Sequence, residues 1–197
     1  MTAVRTRPLV RTLALTGAAV ALGVAASGGR GKELDEEAFR AGNADRGPAA
    51  DRFFGGTTEL GSIWASVAAA GVVAVAGRPR TAGRALAAAS LTWLAGQGLK
   101  KVFLRARPYE ADAAGTRLLI GPPKATSWPS SHPAVLLSFL TVASRDLGAG
   151  LVARAALGGL AGTVGASRTY VGVHYPADVA GGLLLGKAVA AAFDGRR

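Results

Sequence analysis

Residues 167–178 read SRTYVGVHYPAD, and they join a break between two helices to a cluster of reactive side chains. An apolar run ends at residue 166, and Pro176 is a favourable residue to open the next helix. Between them, His174 follows Arg168 by six residues and precedes Asp178 by four. A guanidinium, an imidazole and a carboxylate can bind an anionic group, attack it and orient the attacking ring. The stretch therefore predicts a loop that carries an active site.

His132 is the other of the two histidines in the 197 residues, and it ends the string PSSH at residues 129–132. We predict that a helix begins at Pro133, directly after this string. Backbone N–H groups at a helix N-terminus bind anions and serine hydroxyls add donors, so Ser130 and Ser131 are candidate anion ligands. The alternative is a plain helix cap.

Half of the residues are apolar, 28 are glycine, and the charges lie in short clusters between uncharged stretches. This layout, without a break in composition, predicts a single integral membrane domain over residues 1–197. The net charge is +11, but the basic residues lie at the ends of apolar segments rather than in one stripe with aromatics, so nucleic-acid binding is not predicted. The absence of cysteine excludes disulfides and thiolate metal sites. The acidic run 35–37 is predicted to be a solvated helix face.

Six apolar segments predict an all-α bundle of six transmembrane helices with both chain ends on the cytoplasmic side. The predicted spans are 12–29, 60–77, 85–99, 133–144, 147–166 and 179–193. The glycine spacings 158 to 162 and 182 to 186 predict close contacts between helices. Residues 1–30 are either the first span or a secretory signal.

Residues 31–59 are predicted to be an external loop with short amphipathic helices on the membrane surface. Between residues 30 and 59, seven acidic residues outnumber five basic ones, as the positive-inside rule favours outside the cytoplasm. We interpret Trp64, Tyr109, Trp128, Tyr170 and Tyr175 as an aromatic belt at the outer interface. That interpretation argues against the alternative of a soluble, alanine-rich helical bundle.

In this topology Lys100, Arg107 and Arg168 lie at the external ends of three different segments. A phosphoryl group spreads negative charge over several oxygens, and guanidinium groups match them in a bidentate way. Three converging cations would also stabilise the transition state of phosphoryl transfer. The alternative is that they are ordinary flanking charges, which is most natural for Lys100.

The two histidines suit opposite proton roles. Asp178, in the first turn of the last helix, could reach one nitrogen of His174, fix its tautomer and leave the other nitrogen free to attack phosphorus. His132 as an imidazolium could protonate a leaving oxygen, and as a neutral ring could then activate water. The alternative is a capping aspartate beside a structural histidine.

The three strings, Lys100 with Arg107-Pro108, PSSH at 129–132, and Ser167-Arg168 with His174 and Asp178, resemble the signature of the type 2 phosphatidic acid phosphatase superfamily. They cover residues 100–178. The resemblance implies His174 as nucleophile, Asp178 as its orienting acid and His132 as leaving-group acid. It implies phosphate binding by five residues: Lys100, Arg107, Ser130, Ser131 and Arg168.

The resemblance implies no metal or other cofactor. Ser131 departs from the glycine most often found at that position, and it would be strained only if the backbone there required a positive φ. The expected function is hydrolysis of a lipid phosphomonoester or diphosphate in the cell membrane, with the active site on the external face. Polyprenyl phosphates, phosphatidic acid and phosphatidylglycerol phosphate are the expected substrates, between which the sequence does not choose.

Two rival functions remain open from the sequence. One is a vanadate-dependent peroxidase of the same superfamily, although those enzymes are soluble and much longer. The other is a transport or scaffold protein that keeps the helical core without catalysis, which would have no need of two histidines with opposed proton roles. The sequence does not predict an oligomeric state.

Overall fold

The computed structural model describes residues 3–194, and every regular element within that range is helical. The all-α class is therefore confirmed. The helices are α1 (Ala3–Ala25), α2 (Gly29–Gly42), α3 (Pro48–Thr58), a 3₁₀ turn (Glu59–Gly61), α4 (Ile63–Val75), α5 (Pro79–Phe103), α6 (Pro108–Ala111), α7 (Ser131–Asp146), α8 (Leu151–Tyr170) and α9 (Pro176–Ala192).

Helix α7 lies at the centre of the bundle and packs against α5, α8 and α9, while α1 lies along α9. Glycine residues of α9 allow this helix to approach α7 closely. A Cβ at Gly182 would lie 2.2 Å from the Ser130 carbonyl oxygen, and one at Gly186 would lie 2.4 Å from that of Ala134. Gly158 and Gly162 have no neighbour within 4 Å of such a Cβ, so the close contact predicted there is wrong.

Helices α1, α4, α5, α7, α8 and α9 overlap the six apolar segments of the sequence. Helix α5 is the most extended relative to its segment, because Pro79 is tolerated in a first helical turn and the helix continues past Lys100 to Phe103. By length and hydropathy, only residues 6–25 of α1 qualify as a membrane span among the helices described. A second would be counted if Pro48–Gly61 and Ile63–Val75, which meet at a bend of 67°, formed one span.

The predicted external loop, residues 31–59, contains most of α2 and all of α3, which cover the end of the bundle where α8 ends and α9 begins. Phe39 of α2 is 4% exposed and packs edge-on against Tyr175, with ring centroids 5.4 Å apart. Asn43 donates to the carbonyl oxygens of Tyr170 (2.7 Å) and Arg117 (2.9 Å). These contacts hold α2 against the end of the bundle.

The predicted aromatic belt is wrong for three of its members. Trp128, Tyr170 and Tyr175 are buried, and Trp128 stacks on Phe103 with ring centroids 4.0 Å apart. The loops that carry Trp128 and Tyr175 fold back between helix ends, so these rings fill the interior instead of facing an interface. Trp64 is 76% exposed and remains compatible with the belt.

Candidate active site

A cavity of about 420 Å³ lies where α5 ends and α7 begins, and it collects most of the residues selected from the sequence. Six of those eight residues line it: Lys100, Arg107, Ser131, His132, Arg168 and His174. Ser130 and Asp178 do not line the cavity but are buried close by, and the backbone N–H of Ser130 donates to the Asp178 carbonyl oxygen over 2.9 Å. The three separate strings thus meet at one place.

Three buried cations surround the cavity, each held by neighbouring oxygen atoms. Lys100 Nζ donates to the carbonyl oxygens of Thr126 (2.7 Å) and Ser127 (3.0 Å). Arg107 donates from Nε and Nη1 to backbone carbonyls in the loop before α7 and at Val173. Arg168 Nη1 donates to the Thr58 hydroxyl over 2.6 Å. No carboxylate is among the described residues that line the cavity, so its positive charge favours an anionic ligand.

Two hydrogen-bonding groups at the cavity have no partner among the described residues. They are the Ser131 hydroxyl and Nε of Arg168, and both are buried. Buried polar atoms in folded proteins are almost always satisfied by protein or by ordered water. Their position beside the cations is what a bound phosphate would require, since its oxygens accept from hydroxyl and guanidinium donors alike.

Ser131 causes no backbone strain, because it is the first residue of α7 and is not among the described residues with positive φ. Ser130 is the N-cap residue of α7, but its side chain makes no capping bond and its hydroxyl has no partner in the described part of the chain. The plain-cap interpretation of Ser130 therefore finds no support in the geometry.

His174 is 2% exposed and lies between Arg107 on one side and Asp178 on the other. Its Nε2 is 3.2 Å from Arg107 Nη1, and its Nδ1 is 3.5 Å from Asp178 Oδ2 and 3.4 Å from the Ser127 hydroxyl. A guanidinium only donates, so Nε2 is the acceptor and Nδ1 carries the proton; this tautomer is assigned from the hydrogen bonds. The lone pair of Nε2 therefore lies on the side of the cations.

Asp178 makes short hydrogen bonds to groups other than His174. Its Oδ2 accepts from the Ser127 hydroxyl (2.5 Å) and the Tyr175 backbone N–H (2.9 Å), and its Oδ1 accepts from Arg105 (2.8 Å). The expected contact between Asp178 and His174 is present at 3.5 Å, and Ser127 lies between them as a second link. We infer that Ser127 helps to orient the ring.

Sequence reasoning missed Ser127, Arg105 and Asp35. Arg105 bridges the carboxylates of Asp178 and Asp35, at 2.8 and 2.7 Å, and its guanidinium lies 4.2 Å from the centroid of the Tyr175 ring. Asp35 also accepts from the backbone N–H of Ala177 over 2.8 Å, at the start of α9. Asp35 is 7% exposed, so the predicted solvated face is wrong at this position, because α2 turns Asp35 towards the cationic Arg105.

Charge around His174 favours its neutral form. Burial lowers the pKa of His174 well below its usual value, and the positive charges of Arg107, Lys100 and Arg168 act in the same direction. The same three cations surround His132. A bound phosphate anion would offset these charges, and the pKa of His174 should then rise.

This expectation can be tested by nuclear magnetic resonance, because the chain has only two histidines to label with ¹⁵N. The unliganded His174 ring should remain neutral at pH values well below 6.5, with the proton on Nδ1. Inorganic phosphate should move its titration to higher pH. A ring that titrates near 6.5 without phosphate, assigned through the loss of its signal in His174→Gln, would contradict this electrostatic account.

Asp35 links α2 to the site through Arg105. Burial raises the pKa of Asp35, and the hydrogen bond from Arg105 only partly opposes this effect. Removing one partner of a buried ion pair leaves the other charge uncompensated, which costs about 3–5 kcal/mol. Asp178 remains as a second partner for Arg105, so the lower end of that range is expected for Asp35→Ala.

The measurement is thermal unfolding in detergent, and Glu36→Ala is the matched control. Glu36 is adjacent on the same helix, but its only described ion pair is an exposed one with Lys32, which contributes about 0–1 kcal/mol. We expect Asp35→Ala to unfold at a clearly lower temperature and Glu36→Ala to behave like the parent. Equal unfolding temperatures for the two variants would show that the Asp35 contact is not structural.

One family model and two solved structures match the chain. The model of the PAP2 superfamily matches residues 81–193, a segment that includes every site residue selected from the sequence and also Arg105 and Ser127, but not Asp35. The crystal structure of Aquifex aeolicus LpxE has a TM-score of 0.72 and 30% identity, over 80% of this chain and 92% of that one.

The structure of a PAP2-type phosphatidylglycerolphosphate phosphatase from Bacillus subtilis has a TM-score of 0.75 and 24% identity, over 91% of this chain and 92% of that one. At that identity the likeness concerns the fold alone. No curated protein matches the sequence at a significant level.

Proposed function

The chain belongs to the PAP2 superfamily, and from this premise we propose that it hydrolyses a lipid phosphomonoester or diphosphate through a phosphohistidine at His174. The observation that carries the proposal is the cavity itself. It brings two imidazoles, three buried cations and an unpartnered serine hydroxyl together without a carboxylate in its lining. That set of groups can bind, attack and release a phosphoryl group.

In the first step, Nε2 of His174 attacks phosphorus and the bond between phosphorus and the leaving oxygen breaks. His132 donates a proton to that oxygen, so that an alcohol or a phosphate leaves. Lys100, Arg107 and Arg168 neutralise the charge on the equatorial oxygens as it develops. Asp178 and Ser127 hold the ring of His174, and its positive charge on phosphorylation is offset by Asp178.

In the second step, neutral His132 takes a proton from water, and the resulting hydroxide attacks the phosphohistidine. The bond between phosphorus and Nε2 breaks, inorganic phosphate leaves and His174 is restored. His132 ends this step protonated, ready for the next leaving group. The chain's own cations supply the electrostatic stabilisation that metal ions provide in other phosphotransfer enzymes.

A lipid substrate is supported by the entrance of the cavity. Ile63 and Trp64 of α4 and Trp93 of α5 line it together with the cations, and the two tryptophans are 76% and 39% exposed. An amphiphile could place its phosphate among the cations while its tail follows these apolar side chains. Polyprenyl phosphates and diphosphates, phosphatidic acid and phosphatidylglycerol phosphate all have this form, and the alanine-, glycine- and arginine-rich composition favours a polyprenyl substrate of envelope synthesis.

The function is tested by incubating the purified protein with a panel of these lipids in mixed micelles and measuring released phosphate. Water-soluble phosphate esters serve as the comparison, and parallel reactions contain EDTA. We expect turnover of at least one lipid, a lower rate with soluble esters and no effect of the chelator. Turnover restricted to soluble esters, or lost with EDTA and restored by magnesium, would contradict the proposal.

Each rival function can be tested with the same purified protein. Oxidation of halide with bound vanadate would identify a peroxidase. Binding of lipid phosphate without any release of phosphate would identify a scaffold or transport protein. The apolar side chains at the entrance and the complete set of groups for both proton transfers favour the phosphatase.

We further propose that α1, α4, α5, α7, α8 and α9 each cross the cell membrane and that the active site opens on the external face. The chain has no cysteine, so a single cysteine can report its side. Pro122→Cys, in the exposed part of the loop before α7, should react with an impermeant maleimide in intact cells. Leu147→Cys, exposed in the turn between α7 and α8, is the control and should react only after lysis. The reverse pattern would invert the topology.

A further inference from the structure

A second cavity, of about 430 Å³, shares no lining residue with the candidate active site. One basic side chain from each of four helices lines it. They are Arg11 of α1, Arg145 of α7, Arg154 of α8 and Lys187 of α9. Four helices that are distant in sequence therefore bring positive charge to one place, which we call the basic cavity.

The basic cavity lies at the opposite end of the bundle from the histidines. Along α7, Arg145 follows His132 by thirteen residues, and along α8, Arg154 precedes Arg168 by fourteen. At 1.5 Å per residue, both helices give a separation of about 20 Å. In the proposed topology this end of the bundle faces the cytoplasm.

Most of this positive charge has no partner within the part of the chain that the structure describes. Among the described residues, Asp194 is the one carboxylate in the lining, and it pairs with Arg145. The side chains of Arg11, Arg154 and Lys187 make no hydrogen bond or ion pair with residues 3–194. Arg154 also lies in the first turns of α8, where the helix dipole disfavours a cation. An anion from outside the chain would relieve all three.

Charges that only set the membrane topology belong in loops, as Arg78 beside Pro79 does. Lys187 instead lies within α9, five residues before its last residue, and is partly buried. The rest of the lining suits an amphiphile. Thr141 and Ser144 offer hydroxyls beside the cations, and leucines of α7 and α8 form an apolar wall.

We propose that the basic cavity binds a phosphate-bearing anion, carried either by the headgroup of an acidic phospholipid or by free phosphate, and holds α1, α7, α8 and α9 together. Basic cavities between helices at the cytoplasmic surface are suited to such headgroups. No histidine lines the cavity, so it binds without hydrolysing. The proposal uses the membrane setting of the proposed function but not its reaction.

The test measures thermal unfolding of the purified full chain in a neutral detergent during three titrations. The probes are phosphatidylglycerol, phosphatidylcholine and inorganic phosphate. The test variant is the double change Arg154→Gln and Lys187→Gln. Arg78→Gln with Arg80→Gln is the matched control, because it removes the same charge from exposed positions outside the cavity. Arg168→Gln reports binding at the active site.

We expect phosphatidylglycerol, and not phosphatidylcholine, to raise the unfolding temperature of the parent, the matched control and Arg168→Gln. The test variant should need about 30-fold more phosphatidylglycerol for the same shift, while it still releases phosphate from lipid. Arg154→Gln alone should need about fivefold more phosphatidylglycerol for the same shift. Because this side chain is exposed, the single variant can be tested even if the double variant does not fold.

The three titrations distinguish the source of the anion. If only phosphatidylglycerol raises the unfolding temperature, the ligand is a lipid headgroup. If inorganic phosphate raises it equally, and the test variant does not show this rise, the ligand is free phosphate. An equal loss of affinity in the matched control, or a loss confined to Arg168→Gln, would overturn the proposal. A chain that shows the expected shifts but releases no phosphate from any lipid would refute the proposed function and leave this inference intact.

Discussion

His174→Ala should lower the rate of phosphate release by at least about 10⁴-fold, because no other described imidazole has the contacts that prepare His174 for attack. The fold should tolerate the change. Arg107 keeps its bond to the Val173 carbonyl, and the Ser127 hydroxyl keeps its bond to Asp178, so neither group loses its only partner. The measurement is turnover of the preferred lipid by protein that unfolds cooperatively.

Gln97→Ala is the control for this substitution. Gln97 lines the same cavity but has no part in the proposed chemistry, so its variant should keep most of the turnover. A His174→Ala protein within about tenfold of the parent rate would remove His174 from the role of nucleophile, since loss of a covalent nucleophile costs far more than that.

Asp178→Asn should lower the turnover number by about 10⁴-fold, the size seen when an orienting carboxylate becomes an amide. The amide has no negative charge to offset the imidazolium that forms on His174. Its NH₂ group also cannot accept the bonds that Ser127 and Tyr175 now donate to Oδ2. Arg105 keeps Asp35 as a partner, so the structural cost is smaller than the catalytic one.

Phosphate binding distinguishes a loss of His174 ring orientation from general damage to the site. Asp178 does not line the cavity, so Asp178→Asn should bind inorganic phosphate nearly as well as the parent. Ser127→Ala removes the second link to the ring and should lower turnover by about 10- to 100-fold. Mutation of the residues that orient metal-ligating histidines has an effect of this size in other proteins. Parallel loss of phosphate affinity and turnover in Asp178→Asn would show that the carboxylate is only structural.

The sequence predicted which residues meet, because each string lies at a helix end on the same side of the bundle. Lys100 is near the end of α5, His132 is the second residue of α7, and Arg168 is two residues before the end of α8. Because these helices run alternately up and down, the end of α5, the start of α7 and the end of α8 lie on the same side of the bundle. Proximity therefore followed from the spacing of apolar segments alone.

The contacts behind His174 could not be predicted in the same way. Asp35 reaches Arg105 across 70 residues, and Arg105 reaches Asp178 across 73. No periodicity or motif in the sequence indicates either contact. In the sequence, an acidic residue on an amphipathic helix looks the same whether its side chain is solvated or ion-paired. The burial of Trp128 likewise depends on how the loop before α7 folds back, which local composition does not encode.

The proposed phosphohistidine can be detected directly by locating the covalent phosphate. The protein is incubated with a ³²P-labelled lipid phosphate, quenched and digested, and the labelled peptide is identified. We expect an acid-labile phosphate on His174 that is absent from His174→Ala. Label on another residue, or none while turnover continues, would contradict a phosphohistidine at His174.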